Sequence, residues 1–184
     1  MFDVDEFITD CRAALVEKQA PTAVKEVVER ALSRPEQIDA ALGEPERAGI
    51  STLHRSDDLT VLWVVWPPHA ALYPHDHRMW AANGIYGGRE DNVFYRRGPD
   101  GIARSGAKAI DRGEVALLGS EVIHSVANPH SSYTAAVHVY GGDFFATPRS
   151  QWDPDSLVEQ PFDVEQVRRL LVAADEAAKR NVEP

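Results

Sequence analysis

The chain has 184 residues, 43% of them hydrophobic and 26% charged, with a formal net charge of −10. That is one domain's worth of chain, with enough apolar material for a core that needs no covalent staples. The acidic balance disfavours nucleic acid and anionic membranes as partners, and the longest apolar run, VLWVVWPP from Val61, is too short to cross a bilayer.

In chain order, residues 1–48 read as helices. Phe2, Phe7, Ala14 and Leu15 recur at helical spacing, and so do Val24, Val27, Val28 and Leu32. Pro21 opens a second helix, since its missing N–H falls where a first turn has no partner; Ser33-Arg34-Pro35 breaks it, and PEQIDAALG forms a third that ends at Gly43. From residue 50 to about 147 the texture changes. LTVLWVVW, GIYGG, NVFYRR, GEVALLG, EVIHSVAN and YTAAVHVYGG are short β-rich runs separated by Gly, Pro, Asn and Asp, which predicts an all-β sandwich or barrel. The run REDN, Arg89 to Asn92, reads as a solvated turn between strands that borders the site. Residues 162–180 contain DVEQVRRLLVAADEAAKR, an amphipathic helix with Val164, Val167, Leu170, Leu171 and Ala174 on one face. The whole, 1–184, is expected to be a single domain with a β-core and helices packed on it. The opening MFDVDEFITD lacks a secretory signal's design, and the single cysteine, Cys11, excludes an internal disulfide. Both favour the cytoplasm, and Cys11 itself reads as an inert helix residue.

All seven histidines fall inside the β-rich segment. His75 and His77 are two apart, so in extended chain they project to one face while Asp76 points away. Neutral imidazole is the commonest protein metal ligand. A third histidine, His124, sits in GEVALLGSEVIHSVAN, between Gly113 and Asn128. His54, His69 and His130 are assigned to loops; Trp66, Trp80 and Tyr86 are assigned to the core or a pocket wall.

These two segments resemble the paired motifs of the cupins. His75-x-His77 is followed by three residues, then Ala81, six more residues and Gly88. The second motif runs from Gly113 to Asn128, with Gly119-Ser120-Glu121 standing where cupins usually carry Pro-x-Gly. Ala81 occupies the place of the usual metal-binding glutamate, and His69 that of the first motif's opening glycine. Three histidines without the glutamate, together with HSVANPHSSYTAAVHVYGGDF, resemble the thiol dioxygenases of the cysteine dioxygenase type. The resemblance covers roughly residues 55–145. It implies a cupin double-stranded β-helix, or jelly-roll barrel, with N-terminal helices and a C-terminal helix.

The resemblance also implies a site. His75, His77 and His124 would hold Fe²⁺, with Ni, Mn or Zn as other occupants because affinity alone does not select iron. Tyr140 would be the active-site tyrosine, donating a hydrogen bond to bound oxygen or to the substrate, and His138 would orient it. Arg55 would hold a substrate carboxylate, with Arg78 as its substitute. The reaction would add O₂ to the sulfur of a small thiol such as cysteine or 3-mercaptopropionate, giving a sulfinate. The partners are then a small molecule and O₂, with the oligomeric state left open. Two departures bear on the substrate: Ala81 supplies no cysteine to crosslink with the tyrosine, and Ala136 replaces the family's serine two residues before His138.

A hairpin with its turn at 128–132 is expected to set His124 opposite Ala136 and Val122 opposite His138. Strand alternation then places His124, Ala136, His138 and Tyr140 on one interior face. Two other functions stay open at this point. One is a three-histidine cupin that cleaves a carbon–carbon bond, as diketone dioxygenases do; the other is a cupin that binds a small molecule without catalysis.

Overall fold

A computed structural model describes residues 1–180. Three helices come first, α1 (Val4–Ala14), α2 (Ala20–Leu32) and α3 (Pro35–Leu42). The Asp3 side chain caps α1 by accepting from the Glu6 N–H at 2.9 Å. Pro21 lies in the first turn of α2, and α3 closes on Gly43 at φ 93°, a left-handed value that suits glycine. Eleven strands follow: β1 (Gly49–Arg55), β2 (Thr60–Trp66), β3 (Ala71–Asp76), β4 (Ala81–Gly87), β5 (Arg89–Gly98), β6 (Gly101–Asp111), β7 (Val115–Leu118), β8 (Ile123–Ala127), β9 (Thr134–Tyr140), β10 (Ser150–Trp152) and β11 (Glu159–Pro161). Helix α4 (Val164–Arg180) ends the described chain. No helix among the described residues is long and apolar enough to cross a membrane.

The strands form two antiparallel sheets, ordered β1-β2-β9-β4-β7 and β11-β10-β3-β8-β5-β6. The chain passes back and forth between the sheets, with only the pairs β1–β2, β5–β6 and β10–β11 staying within one, which is the arrangement of a double-stranded β-helix. One apolar cluster lies between the five-stranded sheet and α1–α3 and includes Val24, Val28, Leu32, Val61, Val137 and Val139. A second lies inside the barrel and includes Leu62, Val64, Leu72, Val126, Tyr140 and, from α4, Val167 and Leu171. Strand β9 and nearly all of β2 are buried on both faces, which is why β2 reads as a continuous apolar run and β9 as one interrupted by His138. Helix α2 rests so closely on β4 that a Cβ at Gly84 would meet Val28 Cγ1 at 2.5 Å.

Three sequence expectations need correction. His54 belongs to β1, not to a loop. The run Arg89 to Asn92 is the start of β5, where Arg89 and Asp91 pair on the outer face (2.6 Å) while Glu90 and Asn92 are buried. Four consecutive polar residues look solvated, yet the period of a strand sends alternate ones inward. The third correction concerns the hairpin: β8 pairs with β3 and β5, and β9 with β2 and β4, so 128–133 crosses from one sheet to the other. Asn128 holds that crossing, its Nδ2 donating to the Pro67 and Ser132 carbonyls at 3.0 and 2.8 Å. Because the two sheets face each other, His124 still meets the Ala136–His138–Tyr140 face, across the barrel rather than along a ladder.

Candidate metal centre

His75 ends up directly across from His124 in the β3–β8 ladder, and His77 follows just past the end of β3. One ligand atom from each of the three lies within 4.8 Å of the others, and all three side chains are buried. Their rings meet at centroid distances of 4.6 to 5.1 Å. His75 Nδ1 is 3.1 Å from the Tyr73 carbonyl, which can only accept, so Nδ1 carries the proton and Nε2 keeps its lone pair. His124 Nδ1 donates in the same way to Asn92 Oδ1 at 2.7 Å. Such outer partners fix the tautomer and aim the other nitrogen at a cation.

The Nε2 atoms of His77 and His124 face each other at 3.4 Å. His124 Nε2 is left as a lone pair, so in the metal-free chain His77 Nε2–H can donate to it, and a cation between the two nitrogens takes that proton's place. Burial pushes His75 down to about 4, while burial and the neighbouring histidines hold His77 and His124 well below the ordinary imidazole range. These are neutral, preformed nitrogen donors, and the cluster fits a divalent ion of the kind histidine prefers.

The depressed values have a consequence for the metal-free chain. Unfolded histidine takes a proton near about pH 6.5, and these three refuse it when folded. Their cost is absent above that pH; stability then falls as pH drops from about 6.5 towards about 4, the value of His75. The slope is up to ~1.4 kcal/mol per pH unit for each histidine. Urea unfolding of the chelated protein on either side of that threshold measures it, and a flat profile would contradict neutral burial.

Asp76, between the two ligand positions, points away as expected and is buried. Its Oδ1 accepts from the Ser150 N–H at 2.8 Å, and its Oδ2 pairs with Arg78 Nε at 2.8 Å and Arg97 Nη2 at 3.4 Å. It therefore ties the histidine strand to the segment that carries Arg149. A cavity beside the histidines is lined by Trp66, Asn83, His138, Tyr140, Phe144 and Phe162, among others. Tyr140 meets His77 edge-on at 5.0 Å between centroids, and its hydroxyl lies 3.1 Å from His138 Nδ1. Burial raises the Tyr140 phenol far above its ordinary pKa.

Arg55 is not brought to this cavity. Its side chain is half exposed, makes a two-pronged pair with Asp143 at 2.9–3.0 Å and lies over the Phe145 ring. Arg78 is held by Asp76, with Glu121 nearby at 3.7 Å. A different arginine, Arg149, absent from the sequence expectations, packs against the cavity wall; it lines a neighbouring surface groove with Arg78 and Glu159, not the histidine cavity itself. It is buried, with its guanidinium carbon 3.9 Å from the Phe144 ring centre and 4.1 Å from that of Phe162, both cavity-wall residues. Nη1 donates to the Phe144 carbonyl, whereas Nε and Nη2 have no protein partner. Burial lowers Arg149 to about 10, and its charge helps depress His75 and His77. Nothing in TPRSQW marks it in advance: it precedes a three-residue strand and belongs to no periodic pattern. Cys11 is buried, and burial pushes its thiol up to about 12, which agrees with an inert residue.

No family model matches the chain. Among solved structures it is similar to an RmlC-like cupin family protein with a double-stranded β-helix fold from Methanocaldococcus jannaschii, at 11% identity and a TM-score of 0.47, over 55% of this chain and 86% of that one. It is similar to the Cnp3 cupin domain of Schizosaccharomyces pombe at 10% identity and a TM-score of 0.44, over 52% and 61% of the two chains. A cupin superfamily protein from Desulfitobacterium hafniense matches at 12% identity and 0.43, over 52% and 77%.

Proposed function

We propose that this chain is a three-histidine metal enzyme that oxidises a small thiol bearing an anionic group. The observation that supports it most is the pairing of a neutral, carboxylate-free histidine cluster with a buried cation whose Nε and Nη2 have no partner. A buried guanidinium with open donors is costly to maintain, and a substrate carboxylate would satisfy it with charge-assisted hydrogen bonds. Carbon–carbon cleavage of an uncharged diketone has no use for that cation, which sets the diketone reading second.

His75, His77 and His124 would hold iron(II) through their Nε2 atoms. With iron(II) bound, the chemistry on offer is the transfer of both oxygen atoms of O₂ to the sulfur of a coordinated thiol, giving a sulfinate. The protein's own share is to bind, orient and exclude water. Arg149 would take the carboxylate end, its guanidinium packed against the Phe144 and Phe162 rings. Those two rings and the aliphatic wall from Leu62, Val64 and Val126 keep the cavity dry, which strengthens each polar contact made inside it. Ala81 and Ala136, both fully buried, leave room beside Tyr140 and the histidines that a larger side chain would take.

The test is metal analysis of anaerobically purified protein, then O₂ uptake with 3-mercaptopropionate, cysteine and cysteamine. Bound iron and faster uptake with the two acids than with cysteamine are expected. Protein that neither holds iron nor consumes O₂ with any thiol would overturn the proposal.

A further inference from the structure

The buried carboxylate of Glu90 lies at the far end of a chain of contacts that reaches the metal centre. Its Oε1 accepts from the Trp66 indole Nε1 at 2.7 Å and lies 3.2 Å from His138 Nε2. His138 Nδ1 is in turn 3.1 Å from the Tyr140 hydroxyl, and Tyr140 touches His77. The four residues come from three strands, β2, β5 and β9, and each is buried.

Indole N–H is a donor only, so Trp66 fixes Oε1 as an acceptor. As a carboxylate, Glu90 has no hydrogen of its own to give, and both of its oxygens can only accept. His138 Nε2 faces the same oxygen and must supply the hydrogen. A neutral imidazole with Nε2 protonated has a bare Nδ1, which takes the tyrosine proton. We infer that Glu90 is a positioning residue: it holds His138 in the Nε2–H form, so Tyr140 spends its proton on Nδ1 and turns its oxygen lone pairs into the cavity.

This reverses the role expected for Tyr140, which becomes an acceptor towards the bound ligand instead of a donor. It also gives His138 a partner that Ala136 cannot supply. What the phenol does to a substrate rests on the thiol reading above; where the protons sit does not.

Imidazole nitrogen NMR of the full chain with zinc added reads which ring nitrogen of His138 is protonated, with His138→Phe identifying the signal. Nε2–H is expected in the wild type. Glu90→Gln keeps it, because the amide oxygen takes the place of Oε1. Glu90→Leu loses it, since an Nε2–H would then be a buried donor with no acceptor, whereas the Nδ1–H form still bonds Tyr140 and leaves only a bare nitrogen there. A wild-type His138 protonated at Nδ1, or a Glu90→Leu protein that still shows Nε2–H, overturns the assignment. Should Glu90→Leu not fold, the wild-type and Glu90→Gln spectra decide the matter. Loss of O₂ uptake in every protein alongside an Nε2–H wild type would instead count against the thiol reading alone.

Discussion

His124→Ala is expected to abolish metal retention. The substitution removes one of three nitrogen donors, and the remaining pair sits on one strand end with no carboxylate to replace the loss. Loss of an outer partner alone typically costs about 10–100-fold in metal affinity; loss of a ligand should cost at least about the upper figure. Asn92→Ala isolates that smaller effect, because His124 stays but loses the acceptor that fixes its tautomer at 2.7 Å. His124→Ala leaves Asn92 Oδ1 buried and unpaired, a penalty of about 1–3 kcal/mol, partly offset because one neutral imidazole fewer is packed against its neighbours. Metal content after dialysis should therefore fall in the order wild type, Asn92→Ala, His124→Ala. Equal retention in all three would place the metal elsewhere.

Arg149→Met is expected to separate function from stability. A charge-assisted hydrogen bond contributes about 1.5–3 kcal/mol, so kcat/KM for 3-mercaptopropionate should drop by roughly 10–100-fold, while uptake with cysteamine, which has no carboxylate, changes little. Stability should behave differently. The lowering of Arg149 to about 10 expresses the cost of keeping this cation dry, and removing a cation with two unsatisfied nitrogens relieves it. Against that stand the two ring contacts at 3.9 and 4.1 Å, each contributing up to about 2 kcal/mol when desolvated. Methionine keeps much of the volume and makes its own sulfur–ring contacts, so the melting temperature should match or exceed the wild type. A large fall in Tm together with equal losses on both thiols would make Arg149 a structural residue.

Much of the barrel was legible because its signals are local. The helices of 1–48 and α4 follow from apolar spacing and from Pro21 and Gly43, and β2 and β9 from short β-rich runs, mostly apolar and buried on both faces. The edge strand β6, GIARSGAKAID, was not legible, since only Ile102 and Ile110 are buried along it and its ladder with β5 is mostly solvated. The histidine triad was readable because an i, i+2 pair and a motif-placed third residue carry their geometry in their spacing. The residues that serve the site from behind were not. Glu90 and Asn92 look like a polar turn until the alternation of β5 turns them inward, and Arg149 is placed by the Asp76–Ser150 contact between distant segments. Arg55 shows the converse error: it lies in the expected segment, but Asp143 lies within reach and takes its guanidinium outward.

In the proposed function, three histidines and Arg149 would serve the passage of O₂ to the sulfur of a small acidic thiol. The most direct measurement is mass spectrometry of the product formed from 3-mercaptopropionate under isotopically heavy O₂. A sulfinate carrying two heavy oxygen atoms is the result predicted. A disulfide, or a sulfinate whose oxygen comes from water, would contradict it.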